Sequence, residues 1–199
     1  MAEKKPSQSK RGVSQRPARS PQFLVAAHQL SPRGPAGVWN VVIETPRGSP
    51  HKYKYEPGLG AFTLSDVLPE GMTFPYDFGF LPGTRAEDGD PLDVLLLMDE
   101  PAFCSCVVPA RFIGSIHARQ TEKGKTVRND RLVAIPEAVH GTSEFHSIKD
   151  LPQERHDQIE HFFVNYNREF GKRFRILSIE GPKKALRIAR AAVKAGWHD

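Results

Sequence analysis

The chain contains 199 residues, of which 39% are hydrophobic and 26% are charged, and this composition is typical of one globular domain. No apolar run is long enough for a transmembrane helix, and no apolar segment follows the basic N-terminus as it would in a secretory signal. The net charge of +5 comes from residues 1–21, whereas the rest of the chain balances 22 basic against 22 acidic residues. Nucleic acid is therefore not expected as a partner, beyond nonspecific contacts of this tail.

Three segments follow one another along the chain. Residues 1–21 are rich in Ser, Pro, Lys and Arg and have almost no large apolar side chain, so we expect a disordered basic tail. Residues 22–37 form a lead-in segment with no clear pattern. The folded domain is expected over residues 38–199.

Short runs of β-branched, aromatic or alternating residues, punctuated by Gly and Pro, predict that the domain is mainly β. Their spacing is typical of an antiparallel barrel or sandwich. The predicted strands cover residues 38–45, 51–55, 61–68, 92–98, 104–119 and 130–136.

Two helices are predicted in the last quarter of the chain, which gives an α+β fold. We expect Asp150 to cap the first helix, with Gln153 three residues further on as in a capping box. The second helix is expected over about residues 182–195. The apolar face of the first helix repeats at i, i+3, i+4 and i+7, and consists of Ile159, Phe162, Phe163 and Tyr166.

The two cysteines, Cys104 and Cys106, are separated by a single residue. A disulfide between them would be poorly aimed, so free thiols are expected. Free thiols are typical of a reducing compartment, and the sequence therefore predicts a cytoplasmic protein.

The segment 87–94, EDGDPLDV, places three aspartates within six residues, directly before an apolar run. Asp88 and Asp90 point to the same side of an extended backbone, and the glycine and proline permit a bend that brings Asp93 to them. Three neighbouring carboxylates repel one another unless a cation lies between them, and hard divalent cations bind oxygen. A metal site is one interpretation; a polar turn is the alternative, because Asp, Gly and Pro favour turns.

Five ordered segments resemble the family I soluble inorganic pyrophosphatases. DGDPLDV matches the family signature D-G-D-P-x-D-V/L, and VVIETPRGSPHKYKY, FPYDFGFLPGT, RLVAIP and HFFVNYN are similar to further family segments, from about residue 38 to 170. The resemblance implies a small closed five-stranded, OB-like barrel with two flanking helices. It also implies pyrophosphate as the substrate, two or more Mg²⁺ ions as cofactors, and a homo-oligomer.

The resemblance assigns roles to individual residues. Asp88 and Asp93 are expected to hold the metal ions, and Asp90 is expected to act as general base on the attacking water. Glu122 is expected as a further metal ligand, together with either Asn129 or Asp130; Asp130 is preferred because a carboxylate is the stronger ligand. The residues expected to bind substrate are Glu44, Lys52, Arg131 and Tyr166.

The chain also departs from the family pattern, which makes it a divergent member. Asp66 and Asn167 stand where the family has an arginine and a lysine, and Lys54 stands where the family often has Glu. Phe74 and Phe78 replace two tyrosines. Each lost charge-assisted phosphate contact is worth on the order of 1.5–3 kcal/mol, so pyrophosphate binding is expected to weaken unless other basic residues compensate.

Three functions are compatible with these features. The favoured hypothesis is a Mg²⁺-dependent inorganic diphosphatase. The first alternative is a related phosphohydrolase that acts on a larger polyphosphate or a nucleotide. The second is a non-enzymatic protein that binds phosphate or RNA on the same barrel, with the basic tail as the contact.

Overall fold

The computed structural model describes residues 26–137 and 145–196. The predicted tail, residues 1–21, and the first part of the lead-in segment lie outside the described residues. The remainder of the lead-in contains two short 3₁₀ turns, Ala27–Gln29 and Pro35–Gly37.

Within the described residues the main elements are nine strands and two helices. The strands are β1 (Trp39–Thr45), β2 (His51–Glu56), β3 (Ala61–Val67), β4 (Asp77–Leu81), β5 (Leu92–Leu96), β6 (Val107–Glu122), β7 (Lys125–Arg128), β8 (Arg131–Pro136) and β9 (Arg173–Glu180). The helices are α1 (Gln153–Glu169) and α2 (Pro182–Ala195).

Five strands form a closed ring in the order β1, β4, β5, β8, β6, and β6 pairs with β1 to close it. The ring confirms the predicted closed five-stranded arrangement. One pairing departs from the antiparallel arrangement that the strand spacing indicates, because β5 and β8 run parallel. The long connection between them, which contains β6 and β7, allows the chain to return in the same direction.

Three of the strands, β4, β7 and β9, are not predicted by the sequence patterns. β9 pairs with β6 outside the ring, and β2 and β3 form a separate two-stranded sheet. β7 forms a tight hairpin with β6 through Lys123 and Gly124, whose φ angles are 47° and 79°. Glycine adopts this left-handed conformation without steric cost, which favours the turn at this position.

The ring strands bury both of their faces, which explains their nearly continuous apolar sequences. Successive residues of a strand point to opposite faces. Leu95 and Val133 belong to the core packed against α1, whereas Val94 and Ala134 belong to the core packed against α2. Each position on β5 and β8 is therefore committed to the α1 side or the α2 side of the sheet.

The two helices match their predicted extents, except at the start of α1. Helix α1 begins at Gln153 after Pro152, and the predicted cap at Asp150 is wrong. Asp150 instead closes a preceding 3₁₀ turn, where its carboxylate accepts from the backbone N–H of Ser147 at 2.8 Å. Ile159, Phe162 and Phe163 are buried, as the helical spacing predicts.

Two further expectations concern the whole chain. Cys104 and Cys106 are free thiols, each half-buried. Among residues 26–137 and 145–196, no helix is long and apolar enough to cross a membrane.

Candidate active site

An open cavity of about 760 Å³ lies where β2, β5, the β6–β7 hairpin and α1 meet. Eight of the nine predicted site residues line it, and only Asp130 does not. The eight are Glu44, Lys52, Asp88, Asp90, Asp93, Glu122, Arg131 and Tyr166. The fold therefore brings together residues from distant parts of the chain.

Asp93 and Arg131 lie on the neighbouring parallel strands β5 and β8, on the side that faces α1. A terminal nitrogen of Arg131 is 3.6 Å from the Asp93 carboxylate, and another donates to the backbone oxygen of Asn129 at 3.1 Å. The guanidinium carbon lies 4.4 Å from the ring centre of Phe163 and 4.6 Å from that of Phe174. Aromatic faces attract a cation, so this position suits a permanent positive charge.

Burial changes the acidity of both partners. Enclosure by the cavity walls raises the pKa of Asp93 to about 6, although the nearby Arg131 guanidinium opposes this rise. Burial likewise lowers the pKa of Arg131, whose side chain is 5% exposed. A cation beside Asp93 would therefore favour the deprotonated carboxylate, and that carboxylate would bind the cation favourably.

Glu44 is a buried carboxyl at the end of β1. It is 8% exposed, and its Oε1 accepts from the backbone N–H of Tyr55 at 2.7 Å. Burial raises its pKa to about 7, and this hydrogen bond only partly opposes the rise. Glu44 can therefore exchange a proton near neutral pH.

Lys52 projects from β2 towards α1. Its Nζ lies 5.6 Å from the centre of the Tyr166 ring. Burial lowers the pKa of Lys52, but Tyr166, Asp93 and Asp66 together outweigh that effect, so the net direction is upward. Lys52 therefore supplies a positive charge to the cavity at neutral pH.

The segment that contains Asp88 and Asp90 is a tight turn between β4 and β5. Gly89 has a φ of 95°, and its N–H donates to the backbone oxygen of Ala86 at 3.1 Å. The Asp88 carboxylate accepts from the backbone N–H of Asp90 at 3.3 Å, and burial raises the pKa of Asp88. The turn interpretation is thus correct for the backbone, and the same turn presents both carboxylates to the cavity.

Two acids of the cavity are paired with lysines. The Nζ of Lys54 is 3.0 Å and 3.1 Å from the two carboxylate oxygens of Asp90. The Nζ of Lys172 is 3.2 Å from the Glu122 carboxylate. Sequence reasoning missed both pairs, because each joins positions far apart in the chain that only the fold brings together.

Asn129 lines the cavity and Asp130 does not, so the structure places the alternative residue, and not the preferred one, beside the other acids. Asn129 shares the strand face of Arg131, whereas Asp130 points to the α2 side. There its carboxylate accepts from the backbone N–H of Ala118 at 3.1 Å and the Nε of Arg128 at 2.7 Å, and it lies 3.0 Å from the Nδ1 of His117. These contacts hold the Asp130 carboxylate outside the cavity.

The oxygen donors of the cavity fit a hard divalent cation in their chemistry. In the described part of the chain, however, no three His, Cys, Asp or Glu side chains are close enough to hold a metal ion by themselves. The three aspartates share a cavity without forming the predicted cluster. This arrangement suits Mg²⁺, which usually takes only one or two protein carboxylates together with water and phosphate oxygens.

The positions that depart from the family pattern also surround the cavity. Asp66 lies opposite Lys52 in the β2–β3 pairing. Phe74 packs against the Tyr166 ring, with centroids 5.8 Å apart. The side-chain amide of Asn167 donates to the backbone oxygen of Phe163 at 2.8 Å within α1. These positions therefore supply packing and negative charge in place of phosphate-binding cations and hydroxyls.

Comparison with known proteins identifies the class to which this fold and cavity belong. A profile of the family described as inorganic pyrophosphatase matches residues 41–196. The inorganic pyrophosphatase of Synechocystis sp. is 36% identical over 159 residues, which cover 80% of this chain and 92% of that protein. That of Geobacillus stearothermophilus is 38% identical over 146 residues, which cover 73% and 86%.

Solved structures agree with the sequence matches. The crystal structure of the inorganic pyrophosphatase from Thermus thermophilus superposes with a TM-score of 0.79 at 34% identity, and covers 86% of this chain and 98% of that one. Fold and cavity thus define a hydrolase of the pyrophosphatase class, a class that generally depends on metal ions. The chain belongs to the inorganic pyrophosphatase family.

Proposed function

We propose that the protein is an inorganic diphosphatase, which hydrolyses pyrophosphate to two phosphates with Mg²⁺ as cofactor. The observation that carries this proposal is the cavity, where acids on β5 and its preceding turn lie together with Lys52 and Arg131. Hydrolysis of a phosphoanhydride depends mainly on positioning and charge neutralisation, and this combination of side chains can supply both.

Lys52, Arg131 and Tyr166 are proposed to hold the substrate. Lys52 and Arg131 line the same cavity as the carboxylates and place positive charge beside them. An arginine can donate two parallel hydrogen bonds to a phosphate, and a lysine supplies a compact charge. The Tyr166 hydroxyl adds a neutral donor on the α1 side.

Asp88, Asp93, Glu122 and Asn129 are proposed to hold two or more Mg²⁺ ions. All four line the cavity and offer oxygen atoms, which Mg²⁺ prefers. When bound, such ions neutralise the negative charge of the diphosphate and make water more acidic. Glu44, whose pKa lies near 7, is proposed to exchange protons with water beside this group.

Asp90 is proposed to accept the proton of the attacking water. The water oxygen forms a bond to one phosphorus atom while the bond from that phosphorus to the bridging oxygen breaks. The proton moves to the Asp90 carboxylate, and the departing phosphate leaves with the bridging oxygen. The exposed position of Asp90 on the turn permits this exchange, since 53% of its side chain is accessible.

A phosphate-release assay tests the proposal. Wild-type protein with pyrophosphate should release phosphate with Mg²⁺ and not with EDTA. Asp90→Asn should lower kcat by about 10²–10⁴-fold, the usual contribution of a general base. The matched control is Asp99→Asn, the same change at an exposed aspartate outside the cavity, which should retain wild-type activity. Wild-type turnover no faster than the background rate would contradict the proposal.

A second candidate substrate class is a larger polyphosphate or a nucleotide. Asp66 and Asn167 stand where the family pattern has cations that bind phosphate, and these changed phosphate contacts motivate the second candidate. Comparing kcat/KM for pyrophosphate, tripolyphosphate and ADP decides between the two. We expect pyrophosphate to be preferred at least about tenfold, and a preference for either larger substrate would favour the second candidate.

We also propose that the protein is a cytoplasmic homo-oligomer. The free thiols support the location. The β2–β3 hairpin exposes Leu59, Leu64 and Val67 at 70%, 57% and 58%, and these exposed apolar residues on one hairpin support a contact surface there. Light scattering should give a multiple of the 22.2 kDa chain mass, and a monomer at micromolar concentration would contradict the oligomer. Cell fractionation tests the location.

A further inference from the structure

The contact between Lys54 and Asp90 joins a strand residue to the catalytic turn. Lys52 and Lys54 are two residues apart on β2, so both side chains point towards the cavity. Lys52 reaches the Tyr166 ring, whereas the Nζ of Lys54 contacts both carboxylate oxygens of Asp90, at 3.0 Å and 3.1 Å. Lys54 therefore contacts the same two oxygens with which Asp90 would bind a cation or accept a proton from water.

Because the ammonium contacts both carboxylate oxygens, a divalent cation has to compete with it for them. The carboxylate attracts both cations, and the two cations repel each other. The Lys54 side chain is 44% exposed, and that of Asp90 is 53% exposed, so the pair can open without disturbing the core. A cation that reaches Asp90 must first displace the ammonium.

We propose that Lys54 is a tethered competitor for divalent cations at Asp90, so that a metal ion reaches this acid only when it displaces the lysine. The inference rests on the proposed metal-dependent function, because Asp90, the proposed general base, lines the same cavity as the proposed metal ligands Asp88 and Asp93. It assigns to Lys54 a role in setting metal affinity. The effect should be moderate, since exposed ion pairs are worth at most about 1 kcal/mol, or about fivefold in affinity.

Calorimetric titration of metal-free protein with Mg²⁺ alone tests the inference. Lys54→Gln keeps a polar side chain and removes the charge, and should tighten Mg²⁺ binding about fivefold. Lys54→Glu replaces the competitor by a carboxylate and should tighten binding further or add a bound ion. The control is Lys125→Gln, because Lys125 lines the same cavity and, among the described residues, has no carboxylate partner.

The control separates direct competition from the general loss of positive charge in the cavity. Lys54→Gln must tighten binding at least about threefold more than Lys125→Gln; equal effects would overturn the inference. Thermal unfolding in EDTA, expected to be the same for Lys54→Gln and wild type, shows that each variant is folded. Wild-type protein that binds Mg²⁺ but does not respond to Lys54→Gln overturns this inference alone. Wild-type protein that binds no Mg²⁺ overturns it together with the proposed function.

Discussion

Arg131 and Asp93 form an ion pair across the parallel strands β8 and β5, with 3.6 Å between their nearest nitrogen and oxygen atoms. The guanidinium is 5% exposed and lies between Phe163 and Phe174, so little water can reach it. The Asp93 carboxylate, which is 24% exposed, opens to the cavity. Each charge compensates the other, and Asp93 remains accessible to a second cation.

Replacing Arg131 should therefore affect stability and metal binding together. Arg131→Met fills the space between the aromatic rings but leaves Asp93 without its counter-ion. We expect a loss of about 2–3 kcal/mol in the free energy of unfolding, below the 3–5 kcal/mol of a fully buried pair because Asp93 is partly accessible. Mg²⁺ binding at high pH, where Asp93 is deprotonated, should tighten, because the carboxylate no longer has a neighbouring cation that repels the metal ion.

Urea denaturation in EDTA and Mg²⁺ titration measure these two effects. Arg119→Met is a suitable control, because Arg119 is an exposed residue of the neighbouring strand β6. It should change the unfolding free energy by no more than about 0.5 kcal/mol. The ion pair would have no structural importance if Arg131→Met were as stable as Arg119→Met.

Glu44 should make stability depend on pH in metal-free buffer. Its pKa is about 7 in the folded protein against an ordinary value of 4.5. Between these pH values the folded protein retains a proton that the unfolded chain has released, so stability falls as the pH rises from about 4.5 to 7. The shift corresponds to roughly 3 kcal/mol for this one group.

The Glu44→Gln variant removes this proton and keeps an acceptor for the Tyr55 N–H. Relative to wild type, its unfolding free energy should rise by roughly 3 kcal/mol between pH 4.5 and 7.5, as measured by urea denaturation in EDTA. Glu56→Gln, at the exposed end of β2, should follow the wild-type curve. Parallel wild-type and Glu44→Gln curves would show that Glu44 carries no such proton.

The sequence patterns predicted the strands and helices whose apolar residues recur at a regular spacing. They missed the strands that form because of contacts with other parts of the chain. The apolar β1 and the alternating β2 were found, as were α1 and α2. β4 was missed because it contains a glycine and begins with Asp77, a polar residue whose carboxylate is buried where it accepts from the backbone N–H of Arg47 and Ala102. β7 is only four residues long and exists through its hairpin with β6.

In the candidate site, too, the sequence predicted local features and missed those that depend on the fold. The spacing of the aspartates in the segment 87–94 identified the acids, because those residues are close in the sequence. The sequence could not decide between Asn129 and Asp130. The alternation of side chains along extended backbone shows that the two residues face opposite sides, but it does not show which side of β8 packs against α2. The contact of Lys54 with Asp90 spans 36 positions and depends on how β2 packs beside the turn.

Asn129 and Asp130 give a paired test of which face reaches the cavity. Asn129→Asp adds a carboxylate beside the other acids and should tighten Mg²⁺ binding about five- to tenfold. Asp130→Asn removes the charge that pairs with Arg128 and lies beside the buried His117, so it should cost about 1–2 kcal/mol of stability. Its Mg²⁺ affinity should stay within about twofold of wild type.

Each of these variants is the control for the other, because they exchange the same two residue types in opposite directions at adjacent positions that face opposite sides. Calorimetry measures the affinity and urea denaturation the stability. Asp130→Asn protein that folds normally but no longer binds Mg²⁺ would restore the original preference for Asp130 as a ligand. Weaker Mg²⁺ binding by Asn129→Asp would exclude Asn129 from the metal site.

Gly79 controls the close approach of β4 to β1, and through β4 the position of β5 and Asp93. A Cβ at Gly79 would clash with the backbone oxygen of Val42, which cannot move without breaking the β1–β4 pairing. Gly79→Ala should therefore cost about 3 kcal/mol or more in unfolding free energy, at the upper end for overpacking because the obstacle is backbone.

The matched control is Gly58→Ala on the turn between β2 and β3. A Cβ there has only the Glu56 side chain within contact distance, at 3.9 Å, so stability should change by less than about 1 kcal/mol. Thermal unfolding and the yield of folded protein compare the two variants. If Gly79→Ala melted within about 2 °C of Gly58→Ala, the ring would tolerate a wider β1–β4 spacing than this structure has. The position of Asp93 would then depend on its pairing with Arg131 and not on the closure of the ring.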